Sequence, residues 1–222
     1  MRDEDSRRFK LVVFDWDGTL ADSTTIIARS IREALGDMGE PVPADDAARW
    51  VIGLGLADAL RIVAPGLPPH RHSELTAHYR TRYLGAEQDI PMFPGAVDLL
   101  DELERAGYLL GVATGKSRRG LDRVLAKYGL DKRFHATRCA DEGHPKPHPD
   151  MLLHLMDRLG VDPGETLMIG DTTHDLELAR NAGVEAIAVT YGAHERHILA
   201  HHEPLATVHS IAELARWLRG NG

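Results

Sequence analysis

Cysteine is nearly absent: Cys139 is the one thiol in the chain, which excludes an internal disulfide and any metal cage built from several cysteines. It closes the apolar-leaning stretch Phe134-His135-Ala136-Thr137-Arg138, and at a strand end a lone cysteine is read as a small core residue rather than a nucleophile. Long apolar runs are missing as well. None approaches the roughly 18 residues of a membrane-spanning helix, and the basic N-terminus runs into a strand pattern instead of a signal-peptide apolar region. The expectation is a cytoplasmic protein with no membrane partner. An excess of positive charge is also lacking. A formal net charge of -8 argues against nucleic acid as a partner, because a phosphate backbone rewards clustered Lys and Arg. It leaves a small anionic substrate open, since a bound cation can reverse the local field. Internal repeats and low-complexity tracts are absent too.

What is present is an ordinary globular composition, 43% hydrophobic and 27% charged over 222 residues, with room for a domain and a smaller insert. Short apolar runs at 10–14, 108–113, 134–139, 166–170, 186–190 and 205–208 alternate with helical patterns near 95–106, 118–128, 149–159, 174–182 and 210–219. That rhythm predicts an α/β fold, a Rossmann-like parallel sheet flanked by helices. One connection breaks it: roughly 90 residues separate the first strand from the second, well beyond the usual crossover. Ser23 to Leu35 reads as an amphipathic helix with Ile27, Ile31, Ala34 and Leu35 on one stripe, and further helical patterns follow at 44–52, 56–63 and 70–84. The expected organisation is a core of residues 1–20 and 90–222 carrying an all-helical cap domain at 21–89.

Chemistry-bearing residues gather at the strand exits. In "KLVVFDWDGTLADS", residues 10–23, Asp15 and Asp17 follow a buried strand and point the same way in an extended chain, with Trp16 on the other side. Ligands of open α/β sheets sit beyond the carboxyl ends of the strands, where these acids fall. "GVATGKSRRG" offers the Thr114 hydroxyl and the Gly115 N–H as a phosphate-sized donor set. "HPKPHPD" delivers Lys146 from a loop stiffened by Pro145 and Pro147. "MIGDTTHDLELA" adds Asp171 and Asp175 at a further strand end. Hard carboxylate oxygens with a hydroxyl and a lysine suit Mg2+-assisted phosphoryl transfer.

The ordered set D-x-D-G-T, T-G, an isolated Lys before Pro, and G-D-x-x-x-D resembles the haloacid dehalogenase-like hydrolase superfamily, and the helical insert after the first motif is similar to that of its phosphoglycolate phosphatase-like members. The resemblance covers about residues 10–190. It implies a phosphatase acting on a small phosphorylated metabolite, with Asp15 as the nucleophile that becomes an aspartyl-phosphate and Asp17 as the proton carrier whose backbone carbonyl also ligates Mg2+. It implies that Thr114 and Gly115 hold phosphoryl oxygens, that Lys146 offsets charge on phosphate and Asp15, that Asp15 and Asp171 ligate Mg2+, and that Asp175 acts through a water or orients Lys146. A phosphomutase resembling β-phosphoglucomutase and a pyrophosphatase share these motifs. A phospho-receiver module is the non-enzyme alternative, set back by the insert of about 70 residues, a length outside usual connections.

Other polar residues receive plainer readings. Asp22 is read as the N-cap of the first insert helix, Lys116 as an exposed lysine at a helix start, Arg118 and Arg119 as solvated, and Trp16 as packing. His194, His197, His201 and His202 are read as a solvated helix or loop rather than a metal site. The stretch "WVIGLGLADAL", residues 50–60, is a candidate for substrate selection by a loop reaching into the site, although neither Arg49 nor Arg61 can be placed there from sequence.

Overall fold

The computed structural model describes residues 7–221, so residues 1–6 and 222 of the expected core range lie outside the described residues. Six strands form one sheet: β1 (Leu11–Phe14), β2 (Leu109–Thr114), β3 (Ala136–Cys139), β4 (Thr166–Gly170), β5 (Glu185–Val189) and β6 (Ala206–Val208). Every pairing is parallel and the order is β3-β2-β1-β4-β5-β6. The expected strands are all present, with ends displaced by two residues at most.

Burial on both faces explains the near-continuous apolar runs. Val12 and Phe14 of β1 join one core with α5 (Ala96–Arg105), α6 (Arg118–Tyr128) and α10 (Ile211–Asn221). Leu11 and Val13 join the opposite core with α7 (Asp150–Leu159), α8 (Thr173–Asn181) and the short α9 (Arg196–Ala200). The chain winds from β1 outward to β2 and β3, then returns past β1 to β4. That reversal opens a crevice at the carboxyl ends of β1 and β4, the place where such sheets take their ligands.

Between β1 and α5 the regular elements are helical: α1 (Thr24–Asp37), α2 (Asp45–Trp50), α3 (Leu56–Val63) and α4 (His72–Ala86), with a short 3-10 turn before and after α4. Their stripe residues Ile27, Ile31, Leu35, Leu60 and Leu75 merge with the core on the Val12 face, and Arg82 of α4 grips the Asp37 carboxylate at 2.5 and 2.8 Å. The chain leaves and returns side by side, since the Asp22 N–H donates to Pro91 O and the Phe93 N–H to Leu20 O, both at 2.9 Å. No helix among the described residues is long and apolar enough to cross a membrane.

The capping role expected of Asp22 is not found. Ser23 occupies the N-cap position of α1, without a side-chain capping bond, and Asp22 is exposed. The Ser23 hydroxyl is drawn instead to a stronger acceptor, the carboxylate of Asp17 at 2.7 Å.

Candidate active site

Asp15 stands one residue past β1, its N–H donating to Ile169 O at 2.9 Å so that the β1–β4 ladder carries it to the crevice. Asp171 follows β4 directly, and Asp175 lies in the first turn of α8. All three are fully buried, and one oxygen from each lies within 4.8 Å of the others. Lys146 is the cation shared by Asp15 and Asp175: its Nζ is 2.9 Å from Asp15 Oδ1 and 2.6 Å from Asp175 Oδ1, with none of the side chain exposed.

The four groups are held unequally. Asp175 Oδ2 accepts the Thr172 N–H at 3.0 Å and the Thr172 hydroxyl at 2.7 Å, closing a capping box that ties the acid to the helix start. Asp171 Oδ1 accepts the Thr19 hydroxyl and Oδ2 the Ala193 N–H, each at 2.7 Å. Gly18 is required beside it: its φ is +83°, and a Cβ there would lie 2.2 Å from Asp171 Oδ2. Asp15 differs, because neither of its buried oxygens accepts a well-directed hydrogen bond despite the nearby ammonium.

Three buried carboxylates facing one lysine leave uncompensated negative charge. Burial, incompletely offset by Lys146 and reinforced by Asp175 and Asp17, pushes the Asp15 carboxyl up to about 7. Burial, with Asp15 and Asp175 nearby, raises Asp171 well above the usual carboxylate range. Burial opposes the charge on Lys146, but Asp15 and Asp175 outweigh it and its pKa is raised. Such a site calls for a further cation. Hard oxygens with two unsatisfied atoms on Asp15 fit a divalent metal ion.

Asp15, Lys146, Asp171 and Asp175 therefore come together, whereas Asp17 and Lys116 are placed otherwise than expected. Asp17 does not join the carboxylate cluster; its Oδ1 accepts from Ser23 and lies 3.1 Å from Lys116 Nζ. Lys116 is not an exposed helix-start residue. Its side chain is 8% exposed, and its Nζ also donates to Tyr83 of α4 at 2.8 Å, so that Asp17 and that hydroxyl compensate its charge where the insert covers it. Thr114 is buried, and its hydroxyl accepts the Lys116 N–H at 3.2 Å. Gly115 lies beneath the loop after α2: a Cβ there would come within 2.6 Å of the Gly53 and Leu54 carbonyl oxygens. The 50–60 stretch thus reaches the strand ends.

His194 also departs from its solvated reading. It is buried, its ring stacks on Trp50 at 4.5 Å, and its Nε2 and that of His174 lie 3.0 and 2.9 Å from the Trp50 carbonyl oxygen. Arg118 is only partly solvated, bound to Glu142 and Asp122. Cys139 and Trp16 are buried as expected. Among the contributors that the sequence reading does not single out, Thr172 carries a readable signal, Thr-x-x-Asp at a helix start, and Ser23 that of a helix cap only; Lys116, Tyr83 and His174 carry none.

A family model described as haloacid dehalogenase-like hydrolase matches residues 12–189. The chain belongs to the haloacid dehalogenase-like hydrolases. It is 39% identical to the "Probable phosphatase IndB" of Dickeya dadantii, over 92% of this chain and 91% of that one. It is 34% identical to a phosphoglycolate phosphatase of Aliivibrio fischeri, over 82% and 85%. The tyrosine-protein kinase PtkA of Mycobacterium tuberculosis is also 34% identical over 82% of this chain, which spans only 62% of that protein. Among solved structures, a haloacid dehalogenase-like hydrolase of Streptococcus pneumoniae superposes with a TM-score of 0.81 at 26% identity, covering 95% of this chain and 98% of that one. The phosphatases among these relatives make this haloacid dehalogenase-like hydrolase an enzyme of the phosphoric monoester hydrolase class.

Proposed function

We propose that the protein is a Mg2+-dependent phosphatase that hydrolyses a small phosphomonoester through an aspartyl-phosphate on Asp15. The observation that carries the reading is the pair of Asp15 oxygens, buried without hydrogen bonds beside Lys146 at the sheet's switch point. An oxygen that is neither solvated nor saturated is available both to a metal ion and to phosphorus.

An Asp15 oxygen attacks phosphorus in line as the bond from phosphorus to the leaving alcohol oxygen breaks, and Asp17 supplies that oxygen with its proton. Water then attacks the phosphoryl group and gives a proton to Asp17; the bond to Asp15 breaks and inorganic phosphate leaves. Thr114 and the Gly115 N–H hold the phosphoryl oxygens, and Lys146 balances their charge. Asp175, with one oxygen on Lys146 and the other on Thr172, positions the lysine. Asp15, Asp171 and the Asp17 carbonyl would hold the Mg2+, whose charge offsets that of the phosphate and the carboxylates when it is bound.

Residues 21–89 act in this reading as a cap over the core of 1–20 and 90–222, excluding water while the phosphoryl group is transferred. The Gly53 and Leu54 carbonyls over Gly115 support it. The substrate is a phosphorylated metabolite, and the lone free thiol suits a reducing cytoplasm. The test is hydrolysis of p-nitrophenyl phosphate with and without Mg2+. Turnover is expected to stop on chelation and to fall to background in Asp15→Asn; activity retained in either case would refute the mechanism.

A further inference from the structure

A cavity of about 750 Å3 is lined by Asp17 and Gly115 together with residues of α1, α3, α4 and the start of α6. Sites of roughly 300–1,000 Å3 enclose ligands far larger than a two-carbon acid. Apolar side chains make up much of the wall, Ile27, Leu54, Leu56, Tyr79 and Leu84 among them.

The cations along the same cavity are not equivalent. Lys116 is already held by Asp17 and Tyr83. Arg61 is paired with Asp58 and Arg123 with Glu87. Arg80 of α4 and Arg119 of α6 line the cavity, are exposed, and have no carboxylate partner among the described residues. One comes from the insert and the other from the core, so an anion between them would also draw the two parts together. Lys116 beside Asp17 is already occupied and so offers little to the carboxylate of a two-carbon phospho-acid, whereas a larger leaving group can carry a second anion to Arg80 and Arg119.

Resting on the phosphatase reading above, we infer that the substrate is a phosphomonoester with an extended, largely apolar leaving group that ends in a second anionic group, bound between Arg80 and Arg119. Phosphoglycolate, the substrate named for several relatives, is then a poor substrate of this enzyme.

A homologous series of ω-carboxyalkyl phosphates tests this, running from phosphoglycolate to the phosphate ester of hydroxyoctanoate, with plain alkyl phosphates of matching length beside it. Each methylene seated against the wall is expected to raise kcat/KM about fourfold in both series. At full length the carboxylated ester should exceed the plain one by roughly fivefold, the scale of an exposed ion pair. The doubly substituted Arg80→Gln/Arg119→Gln enzyme should lose that ratio. Highest efficiency with phosphoglycolate, or an unchanged ratio in the double variant, overturns the inference. Calorimetry with the matching alkylphosphonates and carboxyalkylphosphonates reads the same preference as Kd. Absence of turnover of every ester and of p-nitrophenyl phosphate would overturn the phosphatase reading while length-dependent Kd values kept the cavity assignment; Kd values independent of length would overturn that assignment as well.

Discussion

Replacing His194 by glutamine tests whether the contact between the helical insert and the strand-end loops depends on a neutral imidazole. His194 Nδ1 accepts the Thr173 N–H at 3.1 Å, and Nε2 faces the Trp50 carbonyl oxygen at 3.0 Å. A carbonyl only accepts, so Nε2 carries the proton and the neutral ring uses both nitrogens. A second proton would sit on Nδ1 against the Thr173 N–H. Burial, partly offset by the Trp50 carbonyl, lowers the His194 pKa from 6.5 to about 4, and burial lowers that of His174 as well. Between those two values the unfolded chain binds more protons than the folded one, so stability is complete above the unfolded pKa and is lost as pH falls toward the folded one. For His194 the loss is about 2 kcal/mol at pH 5 relative to neutral pH. Asp15 acts in the opposite sense. Its raised pKa, about 7 against 3.8, makes its contribution fall as pH rises through that interval, so the wild-type curve alone isolates neither group. The difference between wild type and His194→Gln does. Urea unfolding in the presence of chelator, followed by tryptophan fluorescence, is expected to show the stability gap between the two proteins narrowing by about 2 kcal/mol from neutral pH to about pH 5. A gap independent of pH would refute the reasoning.

Lys116→Met removes the cation beside Asp17 together with its bond to Tyr83, and is expected to lower kcat/KM by about tenfold to a hundredfold while circular dichroism shows the fold retained. Gly115→Ala drives a methyl group against the Gly53 and Leu54 carbonyls, so the loop must withdraw; an increase in KM of about tenfold is expected, measured by steady-state kinetics. Lys146→Met leaves Asp15 and Asp175 without their shared cation, and should cost about 3–5 kcal/mol of stability in denaturant titrations of the metal-free protein. Added Mg2+ should recover part of that loss, whereas a deficit insensitive to Mg2+ would count against a metal ion among these acids.

The strands and most helices were legible because their signals are local: an apolar run bounded by turn residues, a stripe at helical spacing, a glycine at a helix end. Asp15, Thr114, Lys146 and Asp171 were legible for a related reason, since each lies at or just beyond a strand end or on a stiffened loop, and a parallel sheet gathers such positions on one rim. The histidines, Lys116 and Ser23 were not. Lys116 meets Tyr83 across 33 residues of sequence and His194 meets Trp50 across 144, and no spacing rule spans such distances. Ser23 did carry a local signal, that of a helix cap, but the nearby Asp17 carboxylate competed for its hydroxyl and won.

By itself, then, the sequence determined which backbone segments are buried and which carboxylates, hydroxyl and lysine stand at the strand exits, because periodicity and strand-end position are properties of neighbouring residues. Only the tertiary structure decided that Asp15 is left unsaturated while Asp175 is tied to Thr172, that Asp17 leaves the carboxylate cluster for Ser23 and Lys116, and that two exposed arginines from different parts of the chain line one cavity. Those outcomes are competitions among polar groups for a limited number of partners in a space closed to water, and the competitors meet only when the chain has folded.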